Sequence, residues 1–232
     1  MTTATDLRTR LRQAIQPSHE RMHRHRGLAA AAAGCISMSD YRLLLVRLFG
    51  FHRAFEAVVE AAAPVISIRF DLARLARSAA IESDLRAVGY DPGSIPKLPI
   101  CNRISIPHSE AALLGALYVV EGSALGGIQI SRALAPLFGV GSEEGRRFFM
   151  GYGSDQGAIW RSLLNRLEQI AADPAQAAAA IDGATTTFLV FENWMGGWDS
   201  SPGRSAATAC EPASSGTKST AHPVLLRATN IS

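Results

Sequence analysis

LLGALYVVEGSALGGIQISRALAPL, residues 113–137, decides how the rest of the chain is read. Its flanks are apolar at helical spacing: Leu113, Leu114, Leu117 and Tyr118 before the middle, Ile128, Ile130, Leu134 and Leu137 after it. That pattern predicts one long helix. The middle holds Gly122, Ser123, Gly126 and Gly127. Each glycine inside a helix costs roughly 1 kcal/mol against alanine. The three together cost about 3 kcal/mol, out of a usual stability of about 5–15 kcal/mol. Two physical reasons can justify that loss. The glycines permit a bend, or a locally non-helical backbone, and clear room for something flat to approach. Alternatively, they let a neighbouring helix pack very closely.

Upstream, Leu7, Leu11, Ala14 and Ile15 recur at intervals of three and four, which predicts a helix over 5–26. Pro17 should kink it or start a second segment capped by Ser18. Gly34 ends the Ala-rich stretch that follows. Ser37-Met38-Ser39-Asp40 reads as a capping box. It opens an amphipathic helix with Tyr41, Leu44, Leu45, Leu48, Phe51 and Phe55 on one face, stopped by Pro64. A further helix is expected over 66–88, then a Gly/Pro loop over 89–96.

Downstream, Pro136 and Gly139 close the central helix. Ser142-Glu143-Glu144 should cap a short helix reaching Met150, and residues 155–171 form another. Asp173-Pro174 is an N-cap followed by proline at the first helical position, opening a last helix to about Met195. No strand pattern and no internal repeat occur. The fold class is all-α, a single helical domain over 1–198. From residue 199 to 232 the composition turns to Ser, Thr, Ala, Gly and Pro without period, the mark of a low-complexity tail.

The 232 residues suffice for one domain with a substantial core. Hydrophobic residues make up 47% and charged ones 19%, a globular balance. The net charge of +3 is scattered without a Lys/Arg block, so no nucleic-acid footprint is expected. Cys35, Cys101 and Cys210 are too far apart for a metal pair and read as idle thiols. The N-terminus lacks an apolar core of signal-peptide type, and uncharged apolar runs of about ten residues fall short of the ~20 that span a bilayer. A cytoplasmic chain without membrane contact is the expectation.

Two chemistries can be written on the histidines. His19-Glu20-Arg21-Met22-His23 matches H-E-x-x-H, in which two histidines on one helix face bind zinc and the glutamate serves as base. No third ligand follows where that motif needs one, and three arginines around the pair suggest a solvated face. The second chemistry is haem, which in an all-α protein needs one axial histidine and a facing helix without a bulky side chain over the iron. His19 and the glycines at 122–127 supply those two halves. His52, in an apolar helix, reads as a satisfied core or surface histidine. A serine-nucleophile motif, a phosphate loop and a paired-carboxylate site are all missing.

Four segments carry a resemblance to a known family: LRQAIQPSHERMH (11–23), CISMSDYRLLLVRLFGFHRAFE (35–56), LYVVEGSALGGIQIS (117–131) and FLVFENWM (188–195). Over about residues 7–196 the chain resembles the haem oxygenases, in the bacterial biliverdin-producing form often associated with phytochromes. The resemblance implies a helical bundle with haem b, both substrate and cofactor, between a proximal helix and a Gly-kinked distal helix. It makes His19 the axial ligand to iron and places His23, or a water it holds, on the ligand's other nitrogen. Gly122, Gly126 and Gly127 become the backbone over the haem. Ser123 takes a position that is Asp in many relatives, where that acid organises water for proton delivery. Arg12 and Arg161 are implied as propionate partners, and Phe188 as a haem-wall residue. The implied reaction consumes O2 and electrons from a ferredoxin- or reductase-type donor and releases biliverdin, CO and iron, with a phytochrome as a candidate recipient. A haem- or tetrapyrrole-binding protein without turnover is the alternative, and a zinc hydrolase a remote third.

Overall fold

The computed structural model describes residues 6–62, 77–107, 109–139 and 142–198. Among these residues there are eight α-helices and no strand: α1 Leu7–His23, α2 Arg26–Ala32, α3 Met38–Ala62, α4 Ser78–Ala87, α5 Glu110–Phe138, α6 Arg147–Met150, α7 Gln156–Ile170 and α8 Pro174–Gly196. Short 3-10 turns occupy Ile95–Lys97 and Gly153–Asp155. The all-α expectation holds. The tail expected at 199–232, and most of the first half of the helix expected at 66–88, lie outside the described residues.

Helix α5 is the axis of the bundle. Every residue from Ala111 to Val120 is buried, so the helix is apolar all round, as a helix enclosed on every side must be. By length and composition it would also suit a membrane, but 78% of its most apolar window is covered by the rest of the fold. Ser109 starts it by accepting a hydrogen bond from the Ala112 amide at 3.2 Å. The glycines at 122–127 do not interrupt it: the helix runs unbroken from Glu110 to Phe138. Of the alternatives, the locally non-helical backbone is therefore not formed.

Small residues bring α5 and α8 together. A Cβ on Gly115 would collide with the carbonyl oxygen of Ala180, and one on Gly183 with that of Ala112. The two main chains touch, and no larger side chain fits between them.

Helix α1 places a stripe of Leu7, Leu11, Ile15, His19 and Met22 on the core. Asp6 caps it, accepting from the Thr9 amide at 2.6 Å. Pro17 sits within it without ending it, on the exposed side, so no second segment begins at Ser18. Ser18 is instead buried, its hydroxyl accepting from Arg21 Nη2 at 3.0 Å. Helix α3 begins as expected, with Ser37 Oγ accepting from the Asp40 amide at 3.1 Å. Helix α8 opens on Asp173, which caps the amides of Ala175 and Gln176. Cys101 is free and buried, but Cys35 is disulfide-bonded, against the expectation of idle thiols.

The helix expected from Ser142 to Met150 shrinks to one turn at Arg147–Met150. Side chains from elsewhere hold this stretch in an irregular path. Asp84 accepts the amides of Arg147 and Phe148, each at 2.8 Å. Tyr41 donates to the Gly145 carbonyl and Arg77 to that of Phe148, both at 2.6 Å. Arg77 itself is fixed because the buried Glu56 carboxylate, from α3, accepts the amide and hydroxyl of its neighbour Ser78. The result presents Phe148 and Phe149 inward.

Candidate functional site

Helices α1, α2, α3, α5, α7 and α8, together with Arg77 and the pinned Phe148-Phe149 pair, surround a cavity. Its wall is overwhelmingly apolar, built from such side chains as Ile15, Met22, Phe51, Phe188 and Phe191. The few polar groups in it therefore stand out.

His19 comes from α1. It is 7% exposed, and its Nε2 has no hydrogen-bond partner. Burial pushes its pKa down to about 4, helped by the charges of His23 and Arg12 and opposed by Glu20. At neutral pH the ring is uncharged, with a lone pair for an electrophile in the cavity. An orphaned, neutral, buried imidazole in an apolar slot fits a haem iron.

His23 packs edge-on against His19, ring centroids 4.3 Å apart at 77°, but does not line the cavity. No hydrogen bond joins the two rings, and His23 Nε2 also lacks a partner. A direct hydrogen bond from His23 to the other nitrogen of His19 is thus not made. Glu20 points out and accepts from Gln16 at 2.7 Å. Among the described residues no three His, Cys, Asp or Glu side chains converge as metal ligands, so the H-E-x-x-H spacing gains no third member.

The glycine patch divides in two. Gly127 lines the cavity, but a Cβ there would lie 2.7 Å from the Phe149 carbonyl oxygen, so helix packing demands glycine. A Cβ on Gly122 would meet only the edge of Trp160, at an ordinary 3.5 Å. Packing does not demand glycine there, and what its absence of side chain keeps bare is the cavity wall. Gly126 is buried and does not line the cavity. Ser123 does line it, with its hydroxyl donated to the Val120 carbonyl at 2.7 Å. That proton is held by the helix, which leaves Ser123 only lone pairs to offer.

Phe188 forms part of the wall, its ring 6.3 Å from that of His19. Arg12 is exposed and off the wall, yet its charge acts on both His19 and Tyr118, two wall residues. Arg161 is exposed, one residue past the wall residue Trp160. Neither arginine reaches into the cavity itself.

Other polar residues at or behind the wall were not expected to matter. His52, from α3, is 4% exposed and lines the cavity with its Nδ1 unpartnered. It is not a satisfied core histidine. Burial, with the Arg77 charge, pushes its pKa well down. Arg77 also lines the cavity, stacked over Phe148 at 4.5 Å and over Tyr152 at 5.1 Å. Tyr118 Oη and Trp160 Nε1 are buried without partners on the α5–α7 side. Tyr152 donates to Glu121 Oε1 at 3.2 Å, immediately behind the wall.

The described residues thus combine an all-helical bundle and an apolar slot with a neutral histidine on one helix and a bare patch on the longest. A family model described as heme oxygenase matches residues 5–196, and the chain belongs to the haem oxygenase family. Solved structures agree on the fold. The haem oxygenase of Leptospira interrogans superposes with a TM-score of 0.66 at 16% identity, covering 82% of this chain and 98% of that one. The haem oxygenase of Neisseria meningitidis, solved bound to NO and CO, gives 0.62 at 23% identity, covering 90% and 100%. Haem oxygenase-1 of Synechocystis, in complex with haem, gives 0.63 at 17%, covering 84% and 93%. A Shewanella denitrificans domain of unknown function with the same fold gives 0.65 at 9% identity, covering 85% and 94%. No curated protein matches the sequence.

Proposed function

We propose that the chain is a haem oxygenase that opens haem b to biliverdin, with release of CO and iron, at the expense of O2 and electrons from a ferredoxin- or reductase-type donor. The observation that carries this reading is one juxtaposition: the unpartnered Nε2 of buried His19 and the bare helix surface at Gly122 share a single apolar cavity. Bound haem supplies the iron centre and the ring that is itself oxidised.

The chain's own residues bind, orient and exclude water. His19 would hold the iron through its Nε2 lone pair, available because burial keeps the ring neutral. Gly122 would leave the cavity wall bare for the bound ligand. Phe188, Phe191 and Met22 keep water off the macrocycle. Arg12 and Arg161, both exposed, would pair with the carboxylates that stay outside the apolar slot. Ser123 accepts hydrogen bonds from water but has no free proton to give. A cytoplasmic location and a phytochrome as recipient of the product complete the reading.

A second reading, a haem- or tetrapyrrole-binding protein without turnover, is favoured by Ser123 at a position that the resemblance makes Asp in many relatives. The test separates the two. Haemin added to the full chain should give a Soret band that His19→Ala loses and exogenous imidazole restores. Reductant and O2 should then convert that band to biliverdin absorbance. A Soret band that never converts selects the binder, and the absence of a Soret band ends both readings.

A further inference from the structure

Four buried polar atoms without partners belong to residues at or behind the cavity wall: His52 Nδ1, Arg77 Nη1, Gln156 Nε2 and Glu121 Oε2. Their residues are 4%, 3%, 5% and 1% exposed. They come from α3, the start of α4, the start of α7 and α5. Contacts tie them into one group. The His52 ring meets Phe148 at 5.0 Å, and Arg77 lies over the same Phe148 and over Tyr152. Tyr152 donates its hydroxyl to Glu121 and its amide to Gln156 Oε1. Such atoms are seldom left unpaired in a fold, and ordered water is their usual partner. His52 and Arg77 open onto the cavity, whereas Glu121 stands behind them.

Glu121 is also the single charged residue between Glu110 and Arg132, one position before the bare patch. A helix interior gives a carboxylate no reason to be there, since burying it unpaired is costly. We propose that Glu121 is the internal acid that passes protons to the cavity, through water held by Arg77, Tyr152 and His52, in the role that Ser123 cannot fill. The proposal rests on the haem oxygenase reading for the proton's destination and deepens it.

The chemistry of the group is consistent. Burial raises the Glu121 pKa to about 7, against the Arg77 charge and the Tyr152 hydrogen bond, which both lower it. Arg77 and Tyr152 are the groups acting on Glu121, and His52 couples to Arg77. The carboxyl therefore carries its proton for much of the time near neutrality, as a general acid must. It gives that proton from Oε2 to a bridging water and regains one from solvent, so the residue is unchanged over a cycle.

The test uses the full chain with Glu121→Gln, Tyr152→Phe and, as a surface control, Glu20→Gln. Infrared difference spectra of the haem-free protein between about pH 5 and 9 should show a protonated buried carboxyl that disappears with rising pH. Glu121→Gln should remove that band, Tyr152→Phe should shift it, and Glu20→Gln should leave it unchanged. With haemin, Glu121→Gln should bind within about twofold of the parent, lose at least about tenfold in turnover and show a larger solvent isotope effect on turnover. A band untouched by Glu121→Gln overturns the proposal, as does turnover within about twofold of the parent with an unchanged isotope effect. If Glu121→Gln does not fold, Tyr152→Phe decides, by a shifted band and slowed turnover or by neither. A parent chain that binds haemin without turning it over fails the function reading itself, and the proton's destination with it.

Discussion

Alanine at Gly122 and alanine at Gly127 are the same chemical change, five residues apart on one helix, and should act in opposite directions on the ligand-free protein. At Gly122 the new methyl meets only the Trp160 edge at 3.5 Å, an ordinary contact. Helix propensity then dominates, and the variant gains about 0.5–1 kcal/mol. At Gly127 the methyl would lie 2.7 Å from the Phe149 carbonyl oxygen. That carbonyl belongs to the stretch pinned by Asp84, Tyr41 and Arg77, so it cannot yield cheaply. Overpacking of about 1–3 kcal/mol outweighs the propensity gain and leaves a net loss of about 1–2 kcal/mol. For a domain of this size each kcal/mol moves the melting point by about 2–4 °C. Thermal melts of the two variants should thus bracket the parent. Haemin titration should reverse the ranking at Gly122, where the added methyl occupies the cavity wall and weakens uptake. The reasoning is refuted if Gly122→Ala melts as low as Gly127→Ala, or if it takes up haemin as tightly as the parent.

Gly183→Ala should be more damaging than either, costing about 3 kcal/mol or more in a denaturant titration, because its methyl meets the Ala112 backbone, which has no room to retreat. Glu121 has a folded pKa raised to about 7 from an ordinary 4.5, so the folded chain holds a proton that the unfolded chain has released. Stability conferred by that proton is complete below about pH 4.5 and is lost as pH rises through about 7. Denaturant midpoints of the parent should therefore fall relative to Glu121→Gln across that window, and parallel curves would count against the buried carboxyl. The Arg21–Glu192 pair joins α1 to α8 but is largely exposed on the arginine side. Arg21→Ala should move the midpoint little, and less still in high salt, by the same titration.

The helices were readable where the chain carries its own start and stop signals. Ser37 and Asp173-Pro174 cap what they were expected to cap, because a cap acts within three residues. The misreadings are at places where distant residues overrule local ones. Pro17 stays inside α1 because its position on the exposed face leaves the apolar stripe intact. The helix anticipated from Ser142 never forms in full because Tyr41, Arg77 and Asp84 claim its backbone groups. The site divides in the same way. His19 and Gly122 could be found from spacing and residue type along single helices. His52, Arg77 and Glu121 could not be grouped, since α3, α4 and α5 bring them together only in three dimensions. One local sign was available: a lone carboxylate in an otherwise uncharged stretch of twenty-one residues between Glu110 and Arg132.

The backbone contact of α5 with α8 has a consequence for how the family can diverge. Where Gly115 meets Ala180 and Gly183 meets Ala112, the distance between the two helices is fixed by main-chain atoms, which every sequence shares. Side chains further along can then be exchanged one by one without altering the spacing of the two helices. A frame calibrated in this manner tolerates wholesale replacement of its lining, so long as four small residues at the crossing stay small.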